Sequence, residues 1–296
     1  MFEEAQLYSP VTESEDGVVV HLGADHPGAN DPSYRARRAE IAEAALRWQP
    51  GRPAPAIEYG EDEQEVWRTV CRELAPKHER GACRAYRDAV AALDLPRDRI
   101  PQLEEVGDRL EPLTGFRYVP AAGLVPLAEF LGSLADRRFH STQYIRHPGA
   151  PLYTPEPDLV HEVIGHGNLL ASPDFAELNL LAGQAARHCE TDAGLKFLAD
   201  VFWFTIEFGV LYEDGELRAY GAGILSSYGE MEEFGQMEIR PLDLLEMGTL
   251  EYDITHYQPV LYAADSMNHL MEVLGGFFAG FTDDTPERLR LEVNAA

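Results

Sequence analysis

The 296-residue sequence predicts a mainly α-helical fold with a few short β-strands, built as one domain. Apolar residues recur at helical spacing through much of the chain, as at Val66, Trp67, Val70 and Leu74. Strand-like runs are short and are bounded by proline and glycine. Hydrophobic residues make up 45% of the chain, and no repeat, low-complexity block or long linker interrupts it. We therefore expect a polar N-terminal extension over residues 1–24 and a single domain over residues 25–296.

Caps and turn residues set the predicted elements in the first half of the chain. Asp31 is a typical N-cap and Pro32 fits a first helical turn, so a helix is predicted from there to Trp48. Prolines, including Pro101 and Pro112, interrupt a later region, which predicts short helices separated by turns. The other predicted elements of this half are a strand over 18–22, helices over 62–74, 82–93 and 127–134, and a strand over 139–145.

The second half of the chain is also predicted to be mostly helical. Apolar spacing predicts helices over residues 173–189, 193–207 and 265–278. Between them, Asp214-Gly215 predicts a hairpin turn within residues 211–220. A last strand is predicted over 289–293.

The stretch His161-Glu162-Val163-Ile164-Gly165-His166 carries the strongest chemical signal. Neutral imidazole is the commonest side-chain metal ligand, but the zinc-protease motif places its histidines four residues apart. Here they are five apart, about 140° around an ideal α-helix. Both rings can reach one ion only if the helix widens. A π-type turn, frequent at functional sites, would achieve this, and Gly165 makes the distortion inexpensive.

Glu207 is the best candidate for a third ligand. It is a lone carboxylate in the aromatic, apolar run Val201–Gly209, and a buried carboxylate needs a cation. Two histidines and one carboxylate form the facial triad of non-haem Fe(II) oxygenases. The two histidines alone do not distinguish iron from zinc, and for Glu207 alone an ordinary ion pair or a solvent-facing position remains open.

Composition argues against several classes of protein. Lysine and arginine total 24 against 51 acidic residues, a formal charge of −27, whereas nucleic acid demands a basic surface. The N-terminus lacks the charge and apolar run of a signal peptide, and no stretch approaches the roughly 20 apolar residues of a membrane span. Cys71, Cys83 and Cys189 are expected to be reduced thiols. We expect a cytoplasmic monomer without a coiled coil, whose partner is a small molecule.

Several segments match one known family, in order along the chain. They are Asp25-His26-Pro27-Gly28, Ile100–Glu104, Ser141–His147, Tyr153–Asp158, His161–His166, Trp203–Gly209 and Ala219–Ser227. Through them the sequence resembles the catalytic domain of the biopterin-dependent aromatic amino acid hydroxylases, from about Asp25 to Val293. The domain over residues 25–296 is therefore expected to be catalytic.

The resemblance implies an enzyme that uses Fe(II), tetrahydrobiopterin or a related tetrahydropterin, and O₂ to hydroxylate a free aromatic amino acid. It implies His161, His166 and Glu207 as iron ligands, and these three with Glu162 as the catalytic residues. Asp158 is expected to accept the second ring N–H of His161. The implied pterin-binding residues are Gly123, Leu124, Val125, Phe130, His140 and Glu162. The implied substrate-binding residues are Arg146, Thr154, Pro155, Trp203, Phe208, Gly223 and Ser226, with Arg146 on the substrate carboxylate.

Three features depart from the family pattern. Gly167-Asn168 stands where the family usually has Val-Pro, and Phe202 stands where many members have tyrosine. The loop Leu124–Glu129 also differs from the Ser-Ser-Arg-Asp type of other members. These departures bear on pterin affinity and on the surroundings of the metal, but they leave the metal ligands in place.

Two positions favour L-phenylalanine as the substrate. Trp203 is bulky where tryptophan-specific members carry phenylalanine, and Ile254 aligns where tyrosine-specific members carry aspartate. An apolar pocket rejects an added hydroxyl only weakly, by roughly a hundredfold. We expect oxidation at the para position to give tyrosine. Alternatives with the same chemistry are tyrosine or tryptophan hydroxylation, or meta attack on phenylalanine. More distant alternatives are a zinc hydrolase with Glu162 as its base and an inactive relative that only binds a ligand.

Overall fold

The computed structural model describes residues 9–14, 17–252 and 257–295. Most of this part is helical, so the predicted fold class is confirmed. The α-helices are α1 (Pro32–Leu46), α2 (Glu61–Gly81), α3 (Arg84–Leu93), α4 (Leu103–Thr114), α5 (Leu127–Leu134), α6 (Asn168–Leu170), α7 (Pro173–His188), α8 (Asp192–Phe202), α9 (Ala222–Ser226), α10 (Glu230–Glu233), α11 (Leu244–Met247), α12 (Met267–Ala279) and α13 (Thr285–Ala295). The π-helices π1 (His161–Gly167) and π2 (Trp203–Glu207) and a 3-10 helix (Phe234–Gln236) complete the helical part.

The strands form three small sheets, in the part of the chain that the structure describes. An antiparallel pair joins β1 (Val11–Ser14) to β2 (Gly17–Val20). A parallel pair joins β3 (Arg117–Pro120) to β4 (Arg138–Ser141). The remaining strands, β5 (Val210–Glu213), β6 (Glu216–Ala219), β7 (Glu238–Pro241) and β8 (Val260–Ala264), form a sheet in the order β6-β5-β8-β7.

Turn and cap chemistry explains the elements that were predicted best. The Asp31 carboxylate accepts hydrogen bonds from the N–H groups of Ser33 and Tyr34, at 2.9 and 3.1 Å, and so starts α1 as predicted. The predicted hairpin is confirmed as β5–β6. Asp214 and Gly215 have φ values of 53° and 82°, the left-handed conformation that a two-residue hairpin turn requires.

Helix π1 lies at the centre of the core, where several elements meet. It contacts α4, α6 and α9, and its residues from Glu162 to Gly167 are buried. It packs tightly against α9, where a Cβ on Gly165 would lie 2.8 Å from the Ala222 carbonyl oxygen. Glycine is needed there for backbone proximity, a second reason beside the conformational freedom inferred from the sequence.

Four predictions about elements need correction. The helix predicted to end at Leu74 runs to Gly81 through Pro76, and α4 continues through Pro112, so these prolines do not end helices. The helix predicted over 193–207 changes from α to π at Trp203. The strand predicted over 289–293 is wrong, because these residues belong to α13, which packs on α8 and α11.

Other predictions concern the domain boundary, the cysteines and the possibility of a membrane span. The boundary at residue 24 stays a prediction, and Ile254 lies outside the described residues. The three cysteines are free thiols, as predicted. Within the described ranges, no helix combines the length and apolarity needed to cross a bilayer.

Contact between α7 and α5 gives a first prediction, on stability. A Cβ on Gly183 would lie 2.3 Å from the Ala135 nitrogen, so Gly183→Ala must push the two helices apart. We expect it to lower the free energy of unfolding by about 3 kcal/mol. In α12, a Cβ on Gly276 would have no neighbouring atom within 4 Å, so Gly276→Ala should raise stability by up to about 1 kcal/mol. Urea denaturation of both variants measures the contrast, and equal effects would contradict it.

Candidate active site

The widened turn predicted for the histidine motif is confirmed by π1. His161 and His166 are five positions apart, and the i to i+5 hydrogen bonding of a π-helix brings such positions onto one side. The Nε2 atoms of the two rings lie 3.0 Å apart. The local backbone therefore brings together two donor atoms that an α-helix would point in different directions.

Glu207, the last residue of π2, completes a cluster of three donors. Its Oε1 lies 3.0 Å from His166 Nε2, and its Oε2 lies 3.6 Å from His161 Nε2. Metal–ligand bonds of about 2.1 Å at right angles would place donor atoms about 3 Å apart. The three side chains therefore fit one metal ion with free coordination positions.

Electrostatics also suits a metal at this cluster. Burial and the neighbouring His166 lower the pKa of His161 to about 4, which keeps its imidazole neutral. Burial alone would raise the pKa of Glu207, but His166 and His161 outweigh it and lower that pKa. The cluster thus contains a neutral His161 imidazole and an ionised Glu207 carboxylate, the protonation states in which these two groups bind a metal.

Glu162 brings a second carboxyl within 4.8 Å of the histidine donor atoms. Burial, together with the charges of Glu207 and Asp158, raises its pKa well above the usual range. A neutral carboxyl is a poor metal ligand, whereas it can both donate and accept a hydrogen bond. We therefore favour Glu207 over Glu162 as the third ligand, in agreement with the shorter distances.

Side chains from outside π1 satisfy its backbone carbonyls. The Tyr118 hydroxyl donates to the Glu162 carbonyl at 2.6 Å, and the Tyr86 hydroxyl donates to the Ile164 carbonyl at 2.8 Å. Asn168 adds its amide N–H to the Ile164 carbonyl at 2.9 Å. A Cβ at Gly167 would lie 2.8 Å from the Tyr118 hydroxyl. The unusual Gly167-Asn168 pair therefore makes room for one of these donors and supplies another.

The partner expected for the second ring nitrogen of His161 was wrong. His161 Nδ1 lies 3.0 Å from Ser226 Oγ, on α9, and not beside the Asp158 carboxylate. Asp158 instead accepts from the His161 backbone N–H at 3.3 Å and holds Arg146. Sequence spacing suggested Asp158 because it precedes His161 by three residues, but the fold gives its oxygens to a guanidinium.

Arg146 and Asp158 form a buried ion pair beside the metal cluster. The guanidinium donates through Nε and Nη2 to the two carboxylate oxygens, at 2.9 and 2.7 Å. The side chains of Arg146 and Asp158 are only 4% and 0% exposed. Among the described residues, none accepts a hydrogen bond from Nη1. Because Arg146 also lines a cavity, this nitrogen is available to an anionic ligand there.

One cavity of about 390 Å³ unites the predicted residues. It is lined by the metal cluster and by all the residues predicted to bind the pterin and the substrate. Asp158 is not part of the lining, but it contacts Arg146, which is. The lining residues that were predicted are Gly123, Leu124, Val125, Phe130, His140, Arg146, Thr154, Pro155, His161, Glu162, His166, Trp203, Glu207, Phe208, Gly223 and Ser226.

Sequence reasoning missed several polar residues of the cavity. Lys196, Asp200, Glu230 and Tyr257 also line it. Lys196 and Asp200 are four residues apart on the helix that leads into Trp203, and Lys196 is one of two lysines in the chain. That pair could have been noticed, but such a spacing is also typical of a solvent-facing helix.

The sequence and the fold both have matches among known proteins. A family model described as biopterin-dependent aromatic amino acid hydroxylase matches residues 12–286. The chain belongs to this family. Phenylalanine 3-hydroxylase of Streptomyces coeruleorubidus is 46% identical to this hydroxylase over 88% of this chain and 93% of that protein. Bovine phenylalanine-4-hydroxylase is 42% identical over 87% of this chain, which spans only 58% of the bovine protein.

A solved structure supports the cofactors of this hydroxylase. Chromobacterium violaceum phenylalanine hydroxylase, with bound iron(III) and 7,8-dihydrobiopterin, matches with a TM-score of 0.72 and 29% identity. The match covers 83% of this chain and 86% of that one. The protein is thus an iron- and pterin-dependent aromatic amino acid hydroxylase, and the zinc-hydrolase alternative does not hold.

Contact between Ser226 and His161 leads to a prediction on metal affinity. Ser226→Ala removes the hydroxyl that orients the His161 ring, and loss of such a partner typically weakens metal binding by about 10- to 100-fold. Ser227→Ala is the matched control, because the Ser227 hydroxyl accepts from the Glu230 N–H instead. Anaerobic titration with Co(II), followed by absorption spectroscopy, measures both affinities. Equal affinities in the two variants would contradict the assigned role of Ser226.

Proposed function

We propose that this enzyme hydroxylates free L-phenylalanine at the 4-position to give L-tyrosine. The observation that carries the proposal is the shared cavity, in which a two-histidine, one-carboxylate cluster lies beside a buried arginine and an aromatic wall. A free amino acid with an aromatic side chain needs these features together. The cavity volume of about 390 Å³ suits a small substrate beside a cofactor.

Arg146 is the proposed binding site for the substrate carboxylate. Asp158 holds the guanidinium from one side, which leaves Nη1 available in the cavity. Charge-assisted hydrogen bonds to a carboxylate are strong, and a preorganised guanidinium loses little freedom on binding. Asp158 therefore acts through Arg146, as a positioning residue.

Trp203 and Phe208 are the proposed wall for the substrate ring. Their ring centroids are 4.6 Å apart, and the two planes are inclined by 43°. Both residues line the cavity close to Glu207, which is on the same stretch of chain. Aromatic faces bind a phenyl ring through dispersion and edge-to-face contacts and offer no partner to a phenol hydroxyl. This favours phenylalanine over tyrosine as substrate.

His161, His166 and Glu207 are the proposed iron ligands, and the lining from Gly123 to Val125 with Phe130, His140 and Glu162 is the proposed pterin side. When bound, iron and tetrahydropterin together activate O₂ for transfer of one oxygen atom to the ring. The chain contributes a largely buried site around them, in which His166 and Glu162 are buried. The neutral carboxyl of Glu162 is suited to hydrogen bonding with the amide-like edge of a pterin ring.

Attack at the 3-position is a second candidate. The Streptomyces coeruleorubidus relative, at 46% identity over nearly its whole length, is a phenylalanine 3-hydroxylase. The bovine 4-hydroxylase is 42% identical. We favour oxidation at the 4-position over the 3-position, because the sequence resembles the family as a whole and para attack is expected from that resemblance.

Product analysis tests the substrate and the position of attack. The enzyme is loaded with Fe(II) without oxygen, then given O₂, tetrahydrobiopterin and phenylalanine, tyrosine or tryptophan. We expect the highest kcat/KM for phenylalanine, with 4-hydroxyphenylalanine as the main product by chromatography against standards. Mainly 3-hydroxylated product would support the second candidate, and a preference for tryptophan would refute the proposed substrate.

The proposed metal ligands lead to a prediction about Glu207. Glu207→Ala removes the only anionic donor of the proposed ligand set, so we expect retained Fe(II) after gel filtration to fall at least about tenfold and hydroxylation to be abolished. The far-ultraviolet circular dichroism should stay that of wild type. Glu216→Ala, at an exposed position on β6, serves as the control. Wild-type turnover in Glu207→Ala would mean that another group completes the site.

The proposed carboxylate site leads to a prediction about Arg146. Arg146→Lys keeps the charge but loses the planar fork, and a hydrogen bond to a charged group contributes roughly 1.5–3 kcal/mol. The KM for phenylalanine should therefore rise by about 10- to 100-fold, while the KM for tetrahydrobiopterin changes little. The exposed Arg138→Lys is the control. An unchanged KM in Arg146→Lys would place the carboxylate elsewhere.

A further inference from the structure

One wall of the cavity contains a buried carboxylate that none of the proposed roles uses. Asp200 is 4% exposed and lies on α8, one turn before Trp203. Its Oδ2 pairs with Lys196 Nζ at 2.5 Å, and its Oδ1 accepts from the Tyr252 hydroxyl at 3.2 Å. All of these residues line the cavity. We call Lys196, Asp200, Tyr252 and Trp203 the Asp200 wall.

Ring packing sets the orientation of Trp203 within this wall. The Tyr252 ring stacks on the indole at 4.9 Å with 16° between the planes, and Phe208 packs against it at 4.6 Å. No described residue accepts a hydrogen bond from the buried Nε1–H of Trp203. A tryptophan that lacks such an anchor depends on its neighbouring rings for its position.

Tyr252 in turn depends on side-chain contacts for its position. It lies outside any helix or strand, in the loop that follows α11. The edge of Phe204 meets its ring at 5.2 Å, and the Asp200 carboxylate holds its hydroxyl. This hydrogen bond, at 3.2 Å, connects a loop side chain to Asp200 on α8.

The Asp200 wall is also coupled to the metal cluster through the backbone. Trp203 and Glu207 are the first and last residues of π2, so they belong to the same helical turn. A phenyl ring resting on Trp203 is therefore held at a set place relative to the Glu207 carboxylate. A small rotation of the indole would present a different ring carbon to that side of the cavity.

From this arrangement we infer that Asp200 and Tyr252 are positioning residues that determine which carbon of the substrate ring is oxidised. The inference rests on the proposed function, because it requires an aromatic ring against Trp203. Asp200 fixes Tyr252, Tyr252 fixes the plane of Trp203, and Trp203 sets the angle of the substrate ring. If the contacts of Asp200 served stability alone, removing them would leave the position of oxidation unchanged.

Two conservative variants test the inference. Tyr252→Phe keeps the stacked ring and removes the hydroxyl, and Asp200→Asn keeps the shape and removes the charge. We expect the ratio of 4- to 3-hydroxylated product to change by about fivefold or more in both. We also expect less product per tetrahydrobiopterin oxidised, because a misplaced ring is oxidised less efficiently. Fe(II) binding and the KM for tetrahydrobiopterin should match wild type.

Matched controls separate this effect from loss of stability. Asp192→Asn lies in the first turn of the same helix, and Tyr212→Phe is an exposed tyrosine on β5; neither lines the cavity. Both controls should keep the wild-type product ratio. Tyr252→Phe decides the question even if Asp200→Asn does not fold, since it removes a single hydroxyl.

The outcomes distinguish the inference from the proposed function. A folded Tyr252→Phe with the wild-type product ratio and the wild-type yield per pterin would overturn the inference, whatever its Tm. The proposed function would stand in that case, because the wild-type enzyme still hydroxylates phenylalanine. A wild-type enzyme that leaves phenylalanine unoxidised would refute the proposed function and, with it, the inference.

Discussion

The widening of one helical turn is the constraint on which the site depends. Histidines five residues apart meet at 3.0 Å only because π1 replaces an α-helical turn. Such a turn needs extra donors for its carbonyls and close neighbours to hold it in place. The donors are the side chains of Tyr118, Tyr86 and Asn168. The close neighbour is α9, which can approach because Gly165 has no side chain.

The buried acidic residues around the cavity differ in their charged neighbours, and they therefore differ in protonation and in role. Two histidines lower the pKa of Glu207, and the Asp158 carboxylate is bound by the Arg146 guanidinium. Among the described residues no guanidinium pairs with Glu162, and its pKa rises well above the usual range because of burial and two neighbouring negative charges. In a chain with a formal charge of −27, the local arrangement of partners therefore decides what each buried carboxyl can do.

Local chemistry was sufficient to predict most elements and the widened turn that brings the two histidines together, whereas tertiary contacts decided the rest. The Asp31 cap, the Asp214-Gly215 turn and the five-residue histidine spacing each act within a few residues, so the sequence alone shows them. Asp158 pairs with Arg146, which lies 12 positions earlier in the chain. Its carboxylate therefore does not accept the hydrogen bond that was expected from the His161 ring. Asp200 looks like a solvent-facing helix residue until the fold brings Tyr252, 52 positions away, onto its carboxylate. The strand prediction for residues 289–293 was wrong for a similar reason. Packing of this segment on α8 and α11 outweighed the local preference of its residues for a strand.

The π-helical turn has a consequence for how this site responds to genetic change. Removing one residue between His161 and His166 would leave the histidines four apart, the spacing at which an ordinary α-helix binds zinc in proteases. A change of chain length at this turn would thus alter the type of metal centre the backbone supports, whereas a substitution such as Glu207→Ala removes a donor and leaves the histidine spacing unchanged. Insertions and deletions, more than point mutations, define the boundary between this chemistry and a different one.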